Sequence, residues 1–212
     1  SFALLVYVSG WMKCNYPAAF AVALINSQPM GFYSVRSILA DAERHGVVVR
    51  PISVQCSEWN CVVEPHQQDG FAIRLGFRLI KSVGSDDVCQ IVKAREAHPF
   101  RDLIDFSHRV GLSRSVLERL AEANVFRDLG LERRQAVWQI QGHWAQLPLF
   151  QTLPRREPSP LFKPESPIQG AMKDYRTVGV SIGQHPMQLA RNFLGPGLHP
   201  LSSLNKLSSG TA

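Results

Sequence analysis

No apolar run in the chain is long enough to span a membrane. The two longest, residues 2–8 and 17–25, fall well short of the ~20 residues a membrane helix needs. No basic stretch precedes the first run, so it does not read as a secretory signal, and the expected compartment is the cytoplasm. Cysteine is scarce. Cys14, Cys56, Cys61 and Cys89 fit neither the density nor the short length of a disulfide-stapled domain, and reduced thiols are expected. Cys56, Cys61 and His66 stand at five-residue steps, but a closed zinc site wants four ligands with tighter cysteine spacing, so no metal site is assigned. Also missing are a glycine-rich nucleotide loop, a zinc-protease histidine pair and a nucleophile accompanied by His and Asp. No catalytic residue is nominated.

Charge of one sign is never concentrated. The net formal charge is +6, with −1 over residues 1–70, +2 over 71–100, +1 over 101–140 and +4 over 141–212. A protein that grips nucleic acid by charge alone shows a dense basic stripe, because phosphate neutralisation supplies most of the affinity. Any DNA contact here should use a few positioned groups. The 212 residues, 45% apolar, suit one large or two small globular domains. Because the chain opens at Ser1 inside an apolar stretch, it is expected to be a piece of a longer protein.

Residues 2–14 and 17–26 read as two largely buried helices, with Pro17 in a first helical turn where its missing N–H costs nothing. A turn at residues 28–31 leads to a third helix carrying Val35, Ile38, Leu39 and Ala42 inward and ending at Gly46. A short strand at 47–49 follows, then a β-hairpin of residues 59–63 and 71–75 around Asp69-Gly70. From Leu79 to about Gln146 the pattern is helical, in pieces of 8–15 residues. Six prolines, Pro148, Pro154, Pro158, Pro160, Pro164 and Pro167, mark a linker. Short helices are expected at 174–180 and 187–193, and the end reads as a lead-in to another domain.

Two helix, tight turn, helix units stand out. In the first, Lys81, Val83, Gly84 and Ser85 form a turn and helix start whose backbone N–H groups can face a phosphate. Ser82 replaces the first glycine of the usual turn, and Asp86 and Asp87 would repel a phosphate there. A packing role is an equal alternative. In the second, Gly111, Leu112 and Ser113 form the turn and Arg114 opens the helix, so charge and helix dipole act together. Ser113 and Ser115 compete as caps. Arg133 and Arg134 open a further helix, on what reads as a solvated face, and rank as second-line DNA contacts. Gln146, Leu147, Leu149 and Phe150, with Pro148 between them, match the bacterial sliding-clamp-binding pattern, in which Gln146 hydrogen-bonds and the apolar side chains fill a pocket. The alternative is that Leu149 and Phe150 fold back onto the neighbouring helix.

The run SFALLVYVSGWMKCNYPAAFAVALINSQPMGFYS, and above all WMKCNYPAAF at 11–20, is similar to the distal fingers of bacterial family C DNA polymerases. NSQPMGFYS and DAERHGVVVRPISV resemble the error-prone, ImuC-type branch of these DnaE-like enzymes. RLGFRLIKSVG, NVFRDLGLERRQAVWQ and DYRTVGVSIGQHP continue in the same order. The resemblance implies a mainly α fold with a small β-hairpin. Its parts would be distal fingers (1–55), a β-hairpin connector (56–78), a tandem helix-hairpin-helix module (79–146), a proline-rich linker (147–172) and short helices leading toward an OB fold (173–212). It implies a parent DNA-directed DNA polymerase acting in damage-induced translesion synthesis and repair, with primer-template DNA as partner. The sliding clamp and other translesion proteins are further candidate partners. Mg2+ would be bound by palm aspartates that have no counterpart in this chain, leaving the chain itself without cofactor and inactive. Tyr7 and Lys13 fall nearest the nucleotide side of the fingers. The rival reading is a protein-interaction segment that docks on a clamp or polymerase partner through residues 146–150.

Overall fold

A computed structural model describes residues 2–29, 31, 33–66, 70–144, 160–182 and 186–191. Residues 146–150, the clamp-like peptide, lie outside them. The chain starts with α1 (Phe2–Asn15), α2 (Pro17–Asn26) and α3 (Val35–Arg44). Pro17 takes the first turn of α2, and Ala18, Ala21, Val22 and Ile25 form that helix's buried stripe. Ser34 caps α3 by accepting the Ser37 N–H; Ile38, Leu39 and Ala42 are buried.

The expectation that α1 is buried is corrected, since none of its residues is. Leu5 is 65% and Tyr7 69% exposed, and Phe2, Leu4 and Trp11 are exposed as well. Apolar residues surround this helix on every side, whereas α2 collects its small apolar residues on one face. No helix among the described residues is long and apolar enough to cross a membrane.

The sheet holds β1 (Val48–Arg50), β2 (Val62–His66) and β3 (Gly70–Arg74) in the order β1-β3-β2. β2 and β3 form the expected antiparallel hairpin, with Val63 opposite Ile73. β1 joins it in parallel, Val49 beside Ile73, so the hairpin is part of a three-stranded sheet that straddles position 55. The expected strand at 59–63 begins later because the carbonyls of Glu58 and Trp59 accept the N–H groups of Phe77 and Arg78 instead. That crossing needs Gly76, where a Cβ would lie 2.3 Å from the Asn60 carbonyl carbon. On one face Glu64 accepts from Arg50 at 2.6 Å and from Arg74 Nε at 2.9 Å.

Helices α4 (Ser85–Ala97), α5 (Leu103–Val110), α6 (Arg114–Glu122) and α7 (Arg133–Trp144) complete the main body. Phe100, Phe106 and Phe126 meet edge to face, with centroids 4.9 and 5.0 Å apart. They belong to one continuous core running from Ala18 to Val180. α8 (Pro167–Thr177) corrects the linker and the helix expected at 174–180: Pro167 reads as a breaker but takes the first helical position behind a Ser166–Gln169 capping box. α8 buries Ala171 and Thr177, and α9 (Pro186–Arg191) follows.

Burial pushes the Glu64 carboxyl up, but hydrogen bonds from Arg74 and Arg50 outweigh it and hold its pKa below the ordinary 4.5. A depressed carboxylate stabilises the fold fully above its unfolded value and loses that contribution as pH falls through the folded one. Glu64→Gln should therefore lower Tm at neutral pH and flatten its decline below pH 4.5, as read by thermal melts across pH. The bare α1 predicts self-association of the chain in solution. Light scattering should show Leu5→Glu with Tyr7→Glu to be monodisperse where the parent sequence is not.

Candidate nucleic-acid interface

The two hairpins share one turn built from different residues. Ser82 and Gly111 both take left-handed backbone angles, φ 63 and 66. The next residue of each turn points inward, Val83 at 7% and Leu112 at 4% exposure. The third is an extended helix cap, Gly84 with φ −89 and ψ 160, Ser113 with φ −63 and ψ 153. Ser82 thus adopts the conformation glycine supplies in the usual turn, at a steric cost of about 1–2 kcal/mol for an L-residue. The element before the first turn is a 3-10 turn, Phe77–Leu79, rather than the helix expected. The second hairpin has a helix on both sides, α5 and α6.

The helix mouths differ electrically. At α4 the Gly84 N–H donates to the Asp87 carboxylate at 3.0 Å, and Asp86 stands beside it. The mouth already holds an anion of its own. Ser85 is exposed there, and the Lys81 backbone N–H donates to the Thr177 carbonyl at 3.0 Å, leaving its side chain exposed. At α6, Ser113 wins the capping role, accepting the Val116 N–H, while Ser115 bonds to Ser113. No acidic residue stands in that first turn. Arg114 is exposed, with its Nε donating to Glu118 at 2.8 Å. An exposed i,i+4 pair contributes only about 0.3–0.5 kcal/mol, and four other guanidinium N–H groups remain, so a phosphate can recruit this side chain.

Arg133 and Arg134 do not present the solvated face expected of them. Arg133 is 5% exposed and pairs with Glu165 at 3.4 Å and with Asp174. Arg134 donates to the Lys163 carbonyl at 2.8 Å and to Gln169 at 3.3 Å. Both therefore bind α7 to α8 and to the residues just ahead of it. Lys13 pairs with Asp41 of α3 at 2.8 Å, and the Lys13 ammonium holds that carboxyl below its ordinary value. Tyr7 lies on the bare α1.

Sequence reasoning missed Arg109 and Arg95. Arg109 donates to Asp105 at 3.1 Å and to the His98 carbonyl at 2.8 Å, and stacks 4.7 Å over Phe100, fastening α5 to the end of α4. The Asp105–Arg109 i,i+4 spacing was its only sequence signal. Arg95 donates to the Ser57 carbonyl at 2.8 Å and pairs with Glu58, anchoring α4 to the segment ahead of β2. Cys61 is buried, with its sulfur accepting the Gly76 N–H, while His66 meets Arg50. Among the described residues no three His, Cys, Asp or Glu side chains are placed to hold a metal. Asp87 and Asp102 cap helices and Asp105 and Glu118 pair with arginines, so this donor set does not fit Mg2+.

Residues 46–136, which take in both turns, match the model of the helix-hairpin-helix motif family. The chain is also 45% identical over 192 residues to the error-prone DNA polymerase of Alkalilimnicola ehrlichii, covering 90% of this chain and 19% of that protein. It is 45% identical over 195 residues to the error-prone DNA polymerase of Pseudomonas fluorescens, covering 92% and 19%. With that of Pseudomonas paraeruginosa the identity is 46% over 193 residues, covering 90% and 19%. The chain thus spans about a fifth of the length of the curated relatives it matches, and the likeness is that of one segment of a DnaE-like polymerase.

If both turns need left-handed backbone, Gly111→Ala should lower unfolding free energy by about 1 kcal/mol. Ser82→Gly should leave it unchanged or raise it by up to ~1 kcal/mol. Urea titration followed by circular dichroism measures both, and a loss on Ser82→Gly would contradict the shared turn.

Proposed function

We propose that this chain is the part of an error-prone DNA polymerase that grips duplex DNA, acting within the longer enzyme in damage-induced translesion synthesis and repair in the cytoplasm. The observation that carries this reading is the mouth of α6. There a helical N-terminus capped only by the neutral Ser113 hydroxyl, a first turn without carboxylates and an exposed Arg114 stand together. The first-turn N–H groups of a helix have no helical acceptor, and the dipole adds partial positive charge, so a phosphate oxygen fits there without rearranging the backbone. Arg114 then supplies a charge-assisted hydrogen bond. The first hairpin contributes mainly packing through Val83, with the Lys81 side chain as its outward cation.

Polymerisation belongs to the parent. Mg2+ would be held by carboxylates of a palm elsewhere in that protein, and this chain alone is inactive as a nucleotidyltransferase. Tyr7 and Lys13 would face the nucleotide side of the fingers, and the bare surface of α1 would be covered there. Clamp or partner docking through Gln146, Leu147, Leu149 and Phe150 is the alternative, supported by the sequence pattern alone.

The test is fluorescence anisotropy of the 212-residue chain with a primer-template duplex across salt. Arg114→Ala should weaken binding about tenfold at low salt, equally for different sequences, and lower the salt slope by about one. Unchanged affinity in that variant sinks the α6 grip. Binding to a sliding clamp with none to duplex would favour the alternative.

A further inference from the structure

A second surface, at the Glu122 end of α6 and so opposite that helix's mouth, combines aromatic rings with excess positive charge. α7 and α8 flank a cleft of about 320 Å3 whose walls include Arg134, Val137, Trp138, Phe162, Lys173 and Arg176. Trp138 and Phe162 face each other at 64° with ring centroids 6.4 Å apart. Phe162 belongs to the segment before α8, and that segment is fastened beside α7. Arg134 holds the Lys163 carbonyl, and Glu165 pairs with Arg133 at 3.4 Å and with Lys173 at 2.5 Å.

The charges do not cancel. Glu122 is the one carboxylate among the described wall residues, and Arg119 already engages it at 2.9 Å. Adding Glu165 and Asp174 gives three carboxylates against the five cations Arg119, Arg133, Arg134, Lys173 and Arg176, a local excess of +2. Arg176 is exposed and has no acceptor among the described residues. Most arginines elsewhere in the described chain are matched to a carboxylate or a carbonyl. Here the unmatched guanidinium borders an aromatic pair.

We propose that this cleft binds single-stranded DNA, taking one unstacked base against Trp138 and Phe162 with the adjoining phosphate on Arg176 and Lys173. A duplex keeps its base faces inside the stack and cannot offer one to the rings, whereas a single strand can, and ring stacking with backbone charge is its general mode of recognition. The site is separate from the α6 mouth, so the two readings stand or fall independently.

The experiment compares a labelled oligothymidine with a labelled duplex, both titrated by anisotropy against the full 212-residue chain. Arg176→Gln and Trp138→Leu should each lower single-strand affinity about tenfold while leaving duplex affinity unchanged. Trp138→Phe should restore most single-strand binding, because a ring face is retained, yet lose the quenching of indole fluorescence that the oligonucleotide causes in the parent sequence. Arg114→Ala should do the reverse, weakening only the duplex. If Trp138→Leu fails to fold by circular dichroism, Arg176→Gln, an exposed substitution, decides alone. No single-strand binding by the parent sequence, unchanged affinity on Arg176→Gln, or equal loss of both ligands would overturn the proposal. Single-strand binding without duplex binding would uphold it and reject the hairpin grip instead.

Discussion

A guanidinium buried between two carboxylates fixes how the later part of this chain sits on the earlier part. Arg133, at the start of α7, meets Glu165 and Asp174, and Asp174 also accepts from Ser181 at 3.0 Å. The Ser181 carbonyl in turn accepts from Arg36 of α3 at 3.0 Å. Ions taken out of water are tolerated only in such company, and removing one partner of a buried pair typically costs about 3–5 kcal/mol. The cluster therefore acts as an orientation device more than a source of net stability. It holds α8 against α6 and α7, and through the Lys81–Thr177 bond it seats α8 beside the first hairpin.

That placement explains why the two hairpins can share a turn and still differ in chemistry. Each turn is defined by backbone geometry: a left-handed residue, a buried apolar residue, an extended cap. What surrounds the turn is free to vary. α4 fills its own mouth with Asp87 and is braced by Arg95, as a packing element would be. α6 leaves its mouth to a serine cap and an arginine. Net charge is small in this region, +1 over residues 101–140, because its arginines are nearly matched by carboxylates, so one well-placed cation at a helix start counts for more than several scattered ones.

Patterns confined to neighbouring residues were legible in the sequence. The inward residues of α3, the β2–β3 pairing and the Gly111 turn follow from periodicity and turn chemistry. Ser82 is the informative case: its position in the turn was readable, but only the backbone shows a serine doing what glycine does. What could not be read was long-range. β1 joins β3 across more than twenty residues, which no local pattern records. Arg133 and Arg134 looked solvated because their carboxylate and carbonyl partners lie about thirty or more residues onward. Pro167 looked like one of a breaker series, although proline in a first turn and proline in a linker differ only by the cap before them.

α1 sets the opposite constraint. Its apolar residues are too many and too evenly spread for the surface α2 offers, and the burial that would offset the entropy of ordering it is absent among the described residues. A helix of this composition is stable when another apolar surface encloses it. The contrast with α8, which packs against α6 and buries Ala171 and Thr177, separates two kinds of element in one chain. One finds its packing partners within these residues and the other does not. The hairpins belong to the first kind, with their turns, caps and core side chains all satisfied internally. Their geometry at the α6 mouth is therefore set by contacts within the described chain, and it does not depend on how the exposed face of α1 is covered.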